Sequence, residues 1–219
     1  MRKIFVFGVL GIALFTKPAM AQFNDQIFKP DFSYNWDQTD KVNLYVKSRF
    51  FFSIINLDND EAIEYLEAGF GGSHKTQSTL TVGVFYLIRS TSTLQTLQNI
   101  EHRITEEFKF KSSLSSYSLS HRIRTEQRFR SAAYENRWRY RIGTTKALKG
   151  NNFLAFDEEL ISSFNREDFK AENRIYAGIG TKIGSRKMEI GLQYRLKNLL
   201  NEKALSHIIV LSTNVAFSR

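Results

Sequence analysis

The sequence predicts an all-β fold: a single antiparallel up-and-down transmembrane β-barrel of about ten strands, within a range of roughly eight to twelve. Three observations support this prediction: an export signal at the N-terminus, repeated segments in which apolar and polar residues alternate, and inner faces rich in arginine and carboxylates. Alternation with a period of two places the two sets of side chains on opposite faces of a strand. Repeated over long strands, this pattern is typical of a barrel with an apolar outer face and a polar lumen.

Residues 1–21 have the organisation of a secretory signal peptide. Arg2 and Lys3 precede an apolar run at 4–15, and Ala19-Met20-Ala21 forms a small-residue cleavage site before Gln22. The alternative is an N-terminal membrane anchor, but the run is shorter than the stretch of about 20 residues that a spanning helix needs. We therefore expect the mature chain to start near Gln22.

Charge and cysteine content narrow the class of protein further. The chain has a formal charge of +9, and residues 1–21 hold three basic and no acidic residues, so the mature chain keeps +6. Such a charge is compatible with nucleic acid or anionic lipid as a partner, and export argues against nucleic acid. The chain contains no cysteine, which excludes disulfides, thiolate metal sites and cysteine nucleophiles.

These features predict a monomer in the outer membrane of a Gram-negative cell, reached by signal-peptide-dependent export. Its expected partners are outer-membrane lipid and the barrel insertion machinery. Because no later segment resembles a transmembrane helix, any membrane crossing has to be made by strands.

Residues 22–40 are mixed in character and contain Pro30, so we interpret them as an N-terminal lead-in to a barrel at 41–219. Turn-forming residues separate the segments of the barrel. The predicted strands cover 41–55, 61–72, 80–88, 97–110, 117–128, 134–142, 153–164, 172–183, 188–196 and 209–217.

The segment 134–142 shows the two-faced pattern most clearly. One face carries Tyr134, Trp138, Tyr140 and Ile142, and the other carries Glu135, Arg137, Arg139 and Arg141. A single strand of this kind also suits a soluble sheet with arginines facing water. Its recurrence in nearly every segment favours the membrane barrel.

The inner faces are bulky and charged, which predicts a lumen network of ion pairs with a structural role. Its predicted members are Arg122, Arg124, Glu126, Arg137, Arg139, Arg141, Asp157, Glu159, Arg174 and Arg195. An unpaired charge in so narrow a space would cost several kcal/mol, so each arginine needs a carboxylate. A hairpin turn near Lys149 would place Arg139 beside Glu159 and Arg141 beside Asp157, giving a plug of ion pairs in place of an open channel. A catalytic or solute-binding use of the same cluster is the alternative.

Four polar residues interrupt the predicted lipid-facing side: His102, Glu106, His121 and Glu158. With a turn near Lys111, His102 and His121 would pair across neighbouring strands near the edge of the apolar band. Glu106 and Glu158 imply either a β-bulge that shifts the phase or an incomplete apolar face.

No motif points to catalysis or to a cofactor. The sequence contains no nucleotide-binding glycine pattern, phosphate loop, zinc-protease motif or hydrolase nucleophile motif. Ser120-His121 and Ser206-His207 are adjacent residues on opposite faces of their strands, and the four histidines are too widely spaced to suggest a metal site. We therefore predict no catalytic, cofactor-binding or metal-binding residues. Several glycines, Gly178 and Gly180 among them, are interpreted as making room for large inward neighbours.

The region at about 100–217 resembles a bacterial family known as domain of unknown function 2490, small outer-membrane barrels found mainly in Bacteroidetes-type genomes. The resemblance rests on Glu101-His102-Arg103-Ile104, the run from His121 to Phe129, Asn136-Arg137-Trp138-Arg139-Tyr140-Arg141, the run from Phe153 to Glu159, the run from Asn173 to Gly180, and the alternating end. It implies an outer-membrane location and a barrel fold, and it brings no activity or catalytic residues.

Together these observations predict a small outer-membrane barrel with both termini in the periplasm and a structural or narrow-passage role. Two alternatives stay open at this stage. The first is an outer-membrane enzyme that modifies lipid, which would be sensitive to substitution of His121 or Glu158. The second is a soluble secreted β-sandwich that binds a ligand, with its aromatic faces packed on each other.

Overall fold

The computed structural model of the chain describes residues 23–53, 63–90, 100–114, 117–131, 133–165, 169–200 and 205–218. The predicted signal peptide, residues 1–21, lies outside these ranges. The described residues form eleven strands: β1 Phe23–Asp37, β2 Val42–Ser53, β3 Ile63–Lys75, β4 Leu80–Ser90, β5 Ile100–Leu114, β6 Tyr117–Arg130, β7 Ala133–Ala147, β8 Asn152–Phe164, β9 Phe169–Ile183, β10 Arg186–Lys197 and β11 Ser206–Ser218.

The eleven strands form one closed barrel in which each strand pairs with its neighbours in the sequence. All consecutive pairs are antiparallel, and β1 pairs with β11 to close the sheet. The predicted all-β barrel fold is therefore confirmed. No helix among the described residues is long and apolar enough to cross a bilayer.

The barrel has one strand more than the ten that the sequence suggested, and the additional strand is β1. It occupies most of the segment 22–40 that was predicted to be a lead-in. Pro30 lies within it, and the pairing of β1 with β2 is seen on both sides, at Phe28↔Phe52 and Asp31↔Arg49. An odd number of strands in a meander leaves the first and last strands running in the same direction, so the closing pair β1–β11 is parallel.

The parallel closure places the start of β1 and the end of β11 at opposite ends of the barrel. Phe23 pairs with His207 at the start of β11, whereas Asn35 pairs with Ser218 at its end. The prediction of both termini on one side assumed an even strand number and is wrong for these strand ends. One end of the barrel carries the connections 38–41, 76–79, 115–116, 148–151 and 184–185, which we call the short-turn end; the connections 54–62, 91–99, 131–132, 165–168 and 198–205 define the loop end.

The polarity of the barrel is inverted relative to that of a soluble protein. Phe70 is 62% exposed, Leu192 57% and Trp138 56%, all on the outer face. In contrast, Glu126 is 1% exposed and Glu67 2%, both on the inner face. Because rings such as those of Phe70 and Trp138 lie outside a single closed sheet, the fold does not agree with the alternative of a β-sandwich with its aromatic faces packed on each other.

A few large apolar side chains also point inward, and glycines on neighbouring strands make room for them. A Cβ atom added at Gly180 would overlap the ring of Phe153, and one added at Gly178 would overlap Tyr176. Phe153 and Tyr176 form an interior cluster with Ala155. These contacts agree with the prediction that the glycines accommodate bulky inward neighbours.

Candidate functional site

Strands β6 to β10 carry all ten residues of the predicted lumen network, and all ten point into the barrel. The register places like charges directly opposite each other: Arg122 faces Arg141 and Arg124 faces Arg139 across β6 and β7. Opposed like charges destabilise a strand pair. The arginines therefore have to reach past their direct partners to carboxylates.

The two predicted ion pairs across β7 and β8 are present, although the register differs from the predicted one. Arg139 Nη2 lies 2.6 Å from Glu159 Oε2, and Arg141 Nη2 contacts Asp157. The residue directly opposite Arg141 is Glu159, so the strands are shifted by two residues relative to the prediction. In each pair, the carboxylate lies two residues along β8 from the residue directly opposite the arginine.

Glu159 and Glu126 are the centres of the network. Glu159 is 4% exposed and accepts hydrogen bonds from Arg139 Nη2 at 2.6 Å and from Arg122 Nη2 at 2.7 Å. Arg174 Nη1 lies 3.8 Å from the same carboxylate. Arg139 also donates through Nη1 to Glu126 Oε1 at 2.6 Å, so a single guanidinium joins the two buried carboxylates.

Glu126 also lies close to arginines on β5, β6 and β7. Arg103 and Arg124 each lie 3.7 Å from its carboxylate oxygens, and Arg137 lies 3.9 Å away. A carboxylate so surrounded neutralises part of the charge on several arginines at once. Of the predicted members, Arg195 is 5% exposed and its Nε donates to Gln193 at 2.7 Å.

The same network of ion pairs continues through β1 to β4, where the sequence predicted no site residue. Glu67 is 2% exposed and accepts from Arg49 Nη1 and Arg89 Nε, both at 2.9 Å. Asp31 is 5% exposed and contacts Arg49, with Lys29 and Lys47 each at 3.6 Å. The available signals were Glu67, which alternates in phase with Gly69 and Gly71 of β3, and Asp31, which follows Pro30 in β1.

The polar residues of the outer face also find partners. Glu106 accepts from Thr125 Oγ1 at 3.0 Å, and Glu158 accepts from Asn173 Nδ2 at 2.8 Å. The ladders on both sides of β5 and of β8 run through these positions without a register shift. The β-bulge considered from the sequence is therefore not seen, and both carboxylates interrupt the apolar face.

The predicted pairing of His102 with His121 is wrong. Phe129 lies opposite His102, and Phe110 lies opposite His121. The register of β5 and β6 therefore differs by eight residues from the one expected from a turn near Lys111. His102 instead hydrogen bonds to Tyr86 at 2.6 Å.

His121 makes two hydrogen bonds on the outer face, one at each ring nitrogen. Its Nε2 lies 2.7 Å from Ser112 Oγ, and its Nδ1 lies 2.8 Å from the Tyr140 hydroxyl. The order hydroxyl, imidazole, orienting group resembles that of an acyl-transfer site. Tyr140 offers a neutral hydroxyl where such sites use a carboxylate, so an imidazolium formed at His121 would have no counter-charge from it.

The described inward residues border cavities within the lumen. The central cavity, about 290 Å³, is bordered by inward residues of β1, β2 and β4 to β11. A side cavity of about 230 Å³ lies between β1 and β6, and an upper cavity of about 440 Å³ lies towards the short-turn end. Arg122 borders all three, so this side chain stands at their junction.

The arrangement is suited to holding charge and poorly suited to binding a metal. Among the residues that the structure describes, no group of three or more His, Cys, Asp or Glu side chains is arranged to hold a metal ion. The carboxylates of the lumen are instead surrounded by guanidinium and ammonium groups, which present hydrogen-bond donors to any anion that enters.

Comparison with known proteins identifies a family. No curated protein and no solved structure matches the chain significantly. A family model described as a protein of unknown function, DUF2490, matches residues 22–205. The resemblance predicted from the sequence is thereby confirmed, and the match extends it towards the N-terminus as far as β1. The chain belongs to the DUF2490 family.

Proposed function

We propose that this protein is an outer-membrane β-barrel that crosses the bilayer as a monomer and has a lumen narrowed by a lattice of ion pairs. The observation that carries the proposal is the inverted polarity of the barrel: large apolar side chains cover the outside, and carboxylates and arginines fill the inside. In water, such an outer face would expose contiguous apolar surface far larger than soluble monomers tolerate. In a bilayer the same face is solvated by hydrocarbon.

The strand lengths support the same proposal. The strands have between 11 residues in β4 and 15 in β1, β5, β7 and β9. A tilted membrane-spanning strand needs about 9 to 11 residues, so every strand is long enough to cross. Closure of the sheet pairs the backbone groups of all strands, as the interior of a bilayer requires.

A tyrosine and a histidine near the strand ends fit an interface of a membrane. Tyr194, near the end of β10, contacts His207, near the start of β11, at the loop end. Tyrosine is enriched where apolar and aqueous regions meet because its ring is apolar and its hydroxyl is polar. Export through the signal peptide at 1–21 and insertion by the barrel assembly machinery complete the proposed route to the membrane.

Fractionation combined with a gel assay tests the location. The chain, expressed with its signal peptide in a Gram-negative host, is expected in the outer-membrane fraction and released only by detergent. Its folded form is expected to migrate faster than the heated form on a denaturing gel, because a closed barrel resists the detergent until it is heated. Recovery of the folded protein from the soluble periplasm without detergent would refute the proposed location.

Planar-bilayer recording tests the narrow lumen. Arg139, Glu126 and Glu159 project inward from the neighbouring strands β7, β6 and β8 and are joined by ion pairs, and their side chains are at most 10% exposed. Refolded protein is therefore expected to pass only small ionic currents. Sustained large open-channel currents from the unmodified barrel would contradict a lumen closed by ion pairs.

A further inference from the structure

The central cavity carries a surplus of positive charge that its own carboxylates do not balance. Thirteen lysine and arginine side chains and five carboxylates border it. Many of these arginines also reach carboxylates just outside the cavity wall, such as Glu67 and Glu126. Even so, the ion pairs found among the described residues join fifteen basic side chains to ten carboxylates.

Part of the surplus lies beside β1 and β2. Lys29 Nζ and Lys47 Nζ both lie 3.6 Å from the same oxygen of Asp31, and Arg49 contacts the other oxygen. Arg49, Lys47 and Arg195 each repel the Lys29 ammonium electrostatically. We call these five residues, Lys29, Asp31, Lys47, Arg49 and Arg195, the basic cluster; Glu67 also accepts a hydrogen bond from Arg49, so four basic side chains lie beside two carboxylates.

Such a cluster attracts counter-charge from solution. A cavity lined mainly by one sign of charge raises the local concentration of the opposite ion. The Lys29 and Asp31 side chains are only 13% and 7% exposed, so bulk water screens the cluster weakly. An anion with several charges and several acceptor oxygens satisfies more donors than a chloride ion does.

We propose that the central cavity is a binding site for a soluble multivalent oxyanion of the phosphate class, held by the basic cluster. The volume of about 290 Å³ accommodates an anion of the size of pyrophosphate together with water. The inference deepens the proposed function by assigning a ligand class to the lumen of the barrel. A phosphate borne by a membrane lipid is separated from the cluster by the barrel wall, so the ligand has to enter through an end of the barrel.

The route from the short-turn end is itself basic. Lys109, Lys111 and Lys187 border the upper cavity, which shares Arg122 and Arg141 with the central cavity. The side chains of Lys109 and Lys187 are 47% and 42% exposed. Exposed lysines ahead of a more deeply buried basic site attract an anion by long-range electrostatics and pass it inward.

Binding of sodium pyrophosphate to the full barrel refolded in detergent tests the site. Calorimetric titration is expected to show saturable binding, and the thermal unfolding midpoint is expected to rise more than in sodium chloride of equal ionic strength. Equal effects of the two salts would mean general screening and would overturn the proposal. Vesicles of phosphatidylglycerol are expected to have no such effect, and equivalent stabilisation by them would assign the site to lipid.

Two variants with opposite expected effects keep the test independent of folding. Replacing both lysines, K29Q with K47Q, removes two charged donors and is expected to weaken pyrophosphate binding by about tenfold per lysine. Asp31→Asn removes the competing carboxylate and is expected to tighten binding. Lys146→Gln, which removes a lysine from the outer face of β7, is the control and should bind as the unmodified chain does.

Unchanged affinity in the folded double variant would refute the basic cluster as the site. The test is also distinct from that of the proposed function. Binding is measured on the refolded barrel, so it can fail while the protein is still found in the outer membrane, and it can succeed if the protein is found elsewhere.

Discussion

At the scale of single residues, the interior is organised by carboxylates that each serve several cations. Glu159 receives Arg139 at 2.6 Å and Arg122 at 2.7 Å, and its exposed fraction is 4%. Its neighbour in the sequence, Glu158, points to the other face and accepts from the Asn173 amide. Adjacent carboxylates on one strand thus have different environments, which makes them a matched pair for experiment.

Glu159→Gln is expected to lower the free energy of unfolding by roughly 3 to 5 kcal/mol, because buried guanidinium groups lose their counter-charge. Glu158→Gln, the control on the outer face, is expected to stay within about 1 kcal/mol of the unmodified chain. Equilibrium unfolding by denaturant in lipid vesicles measures both values. Equal effects of the two substitutions would show that the inner lattice adds no stability beyond that of an outer hydrogen bond.

Glu106 provides the corresponding test of the outer face. It lies on the outer side near the middle of β5, hydrogen bonded to Thr125. If this face contacts hydrocarbon, Glu106→Val removes a polar group from lipid and is expected to stabilise the barrel in vesicles by roughly 1 kcal/mol. The adjacent Glu107→Val removes the partner of Arg124 and Lys109 and is expected to destabilise it. A neutral or destabilising effect of Glu106→Val in vesicles would argue against a lipid-facing position.

At the scale of strands, the sequence predicted faces well and registers poorly. Alternation fixes which side chains point inward, so the ten predicted lumen residues all lie inside the barrel. A shift of two residues leaves every side chain on its face. The alternation of apolar and polar residues therefore cannot distinguish strand registers that differ by two residues. For this reason the contact between Arg139 and Glu159 was predicted correctly, although the predicted register of β7 and β8 was wrong.

Strand β1 was missed for a different reason. Pro30 argues against a strand that is paired on both sides, and the alternation of β1 is short and mixed before that residue. Its partner β11 lies at the other end of the sequence, and no local pattern reports a pairing at that separation. Because β1 was not predicted as a strand, its inward residues Lys29 and Asp31, which belong to the basic cluster, were not predicted as site residues.

Disulfide cross-linking tests the parallel closure directly. Phe32 and Val215 face each other across β1 and β11, and adjacent strands lie about 5 Å apart, within reach of a disulfide. In this cysteine-free chain, F32C combined with V215C is expected to oxidise readily and to change the mobility of the denatured chain. The control F32C with I209C places the second cysteine six residues away along β11, roughly 20 Å distant. Equal cross-linking of both pairs, or none in the folded F32C/V215C barrel, would contradict the closure.

At the scale of the whole molecule, the odd strand number and the unequal connections give the barrel a direction. The connections at the short-turn end span two to four residues, whereas 54–62 and 91–99 at the loop end span nine each. In outer-membrane barrels the short turns face the periplasm and the longer loops face outward. The end of β11 and the upper cavity would then face the periplasm, and the basic route to the central cavity would open on that side.

Single cysteines at the two ends test this orientation, because the chain has none of its own. Ser131 lies in the turn after β6 at the loop end, and Lys149 lies in the turn before β8 at the short-turn end; both are exposed. In intact cells, a maleimide too bulky to pass through porins is expected to label Ser131→Cys and to leave Lys149→Cys unlabelled until the outer membrane is permeabilised. The reverse pattern would invert the orientation and place the basic upper cavity at the cell surface. Labelling of both positions in intact cells would mean that the barrel does not separate the two compartments.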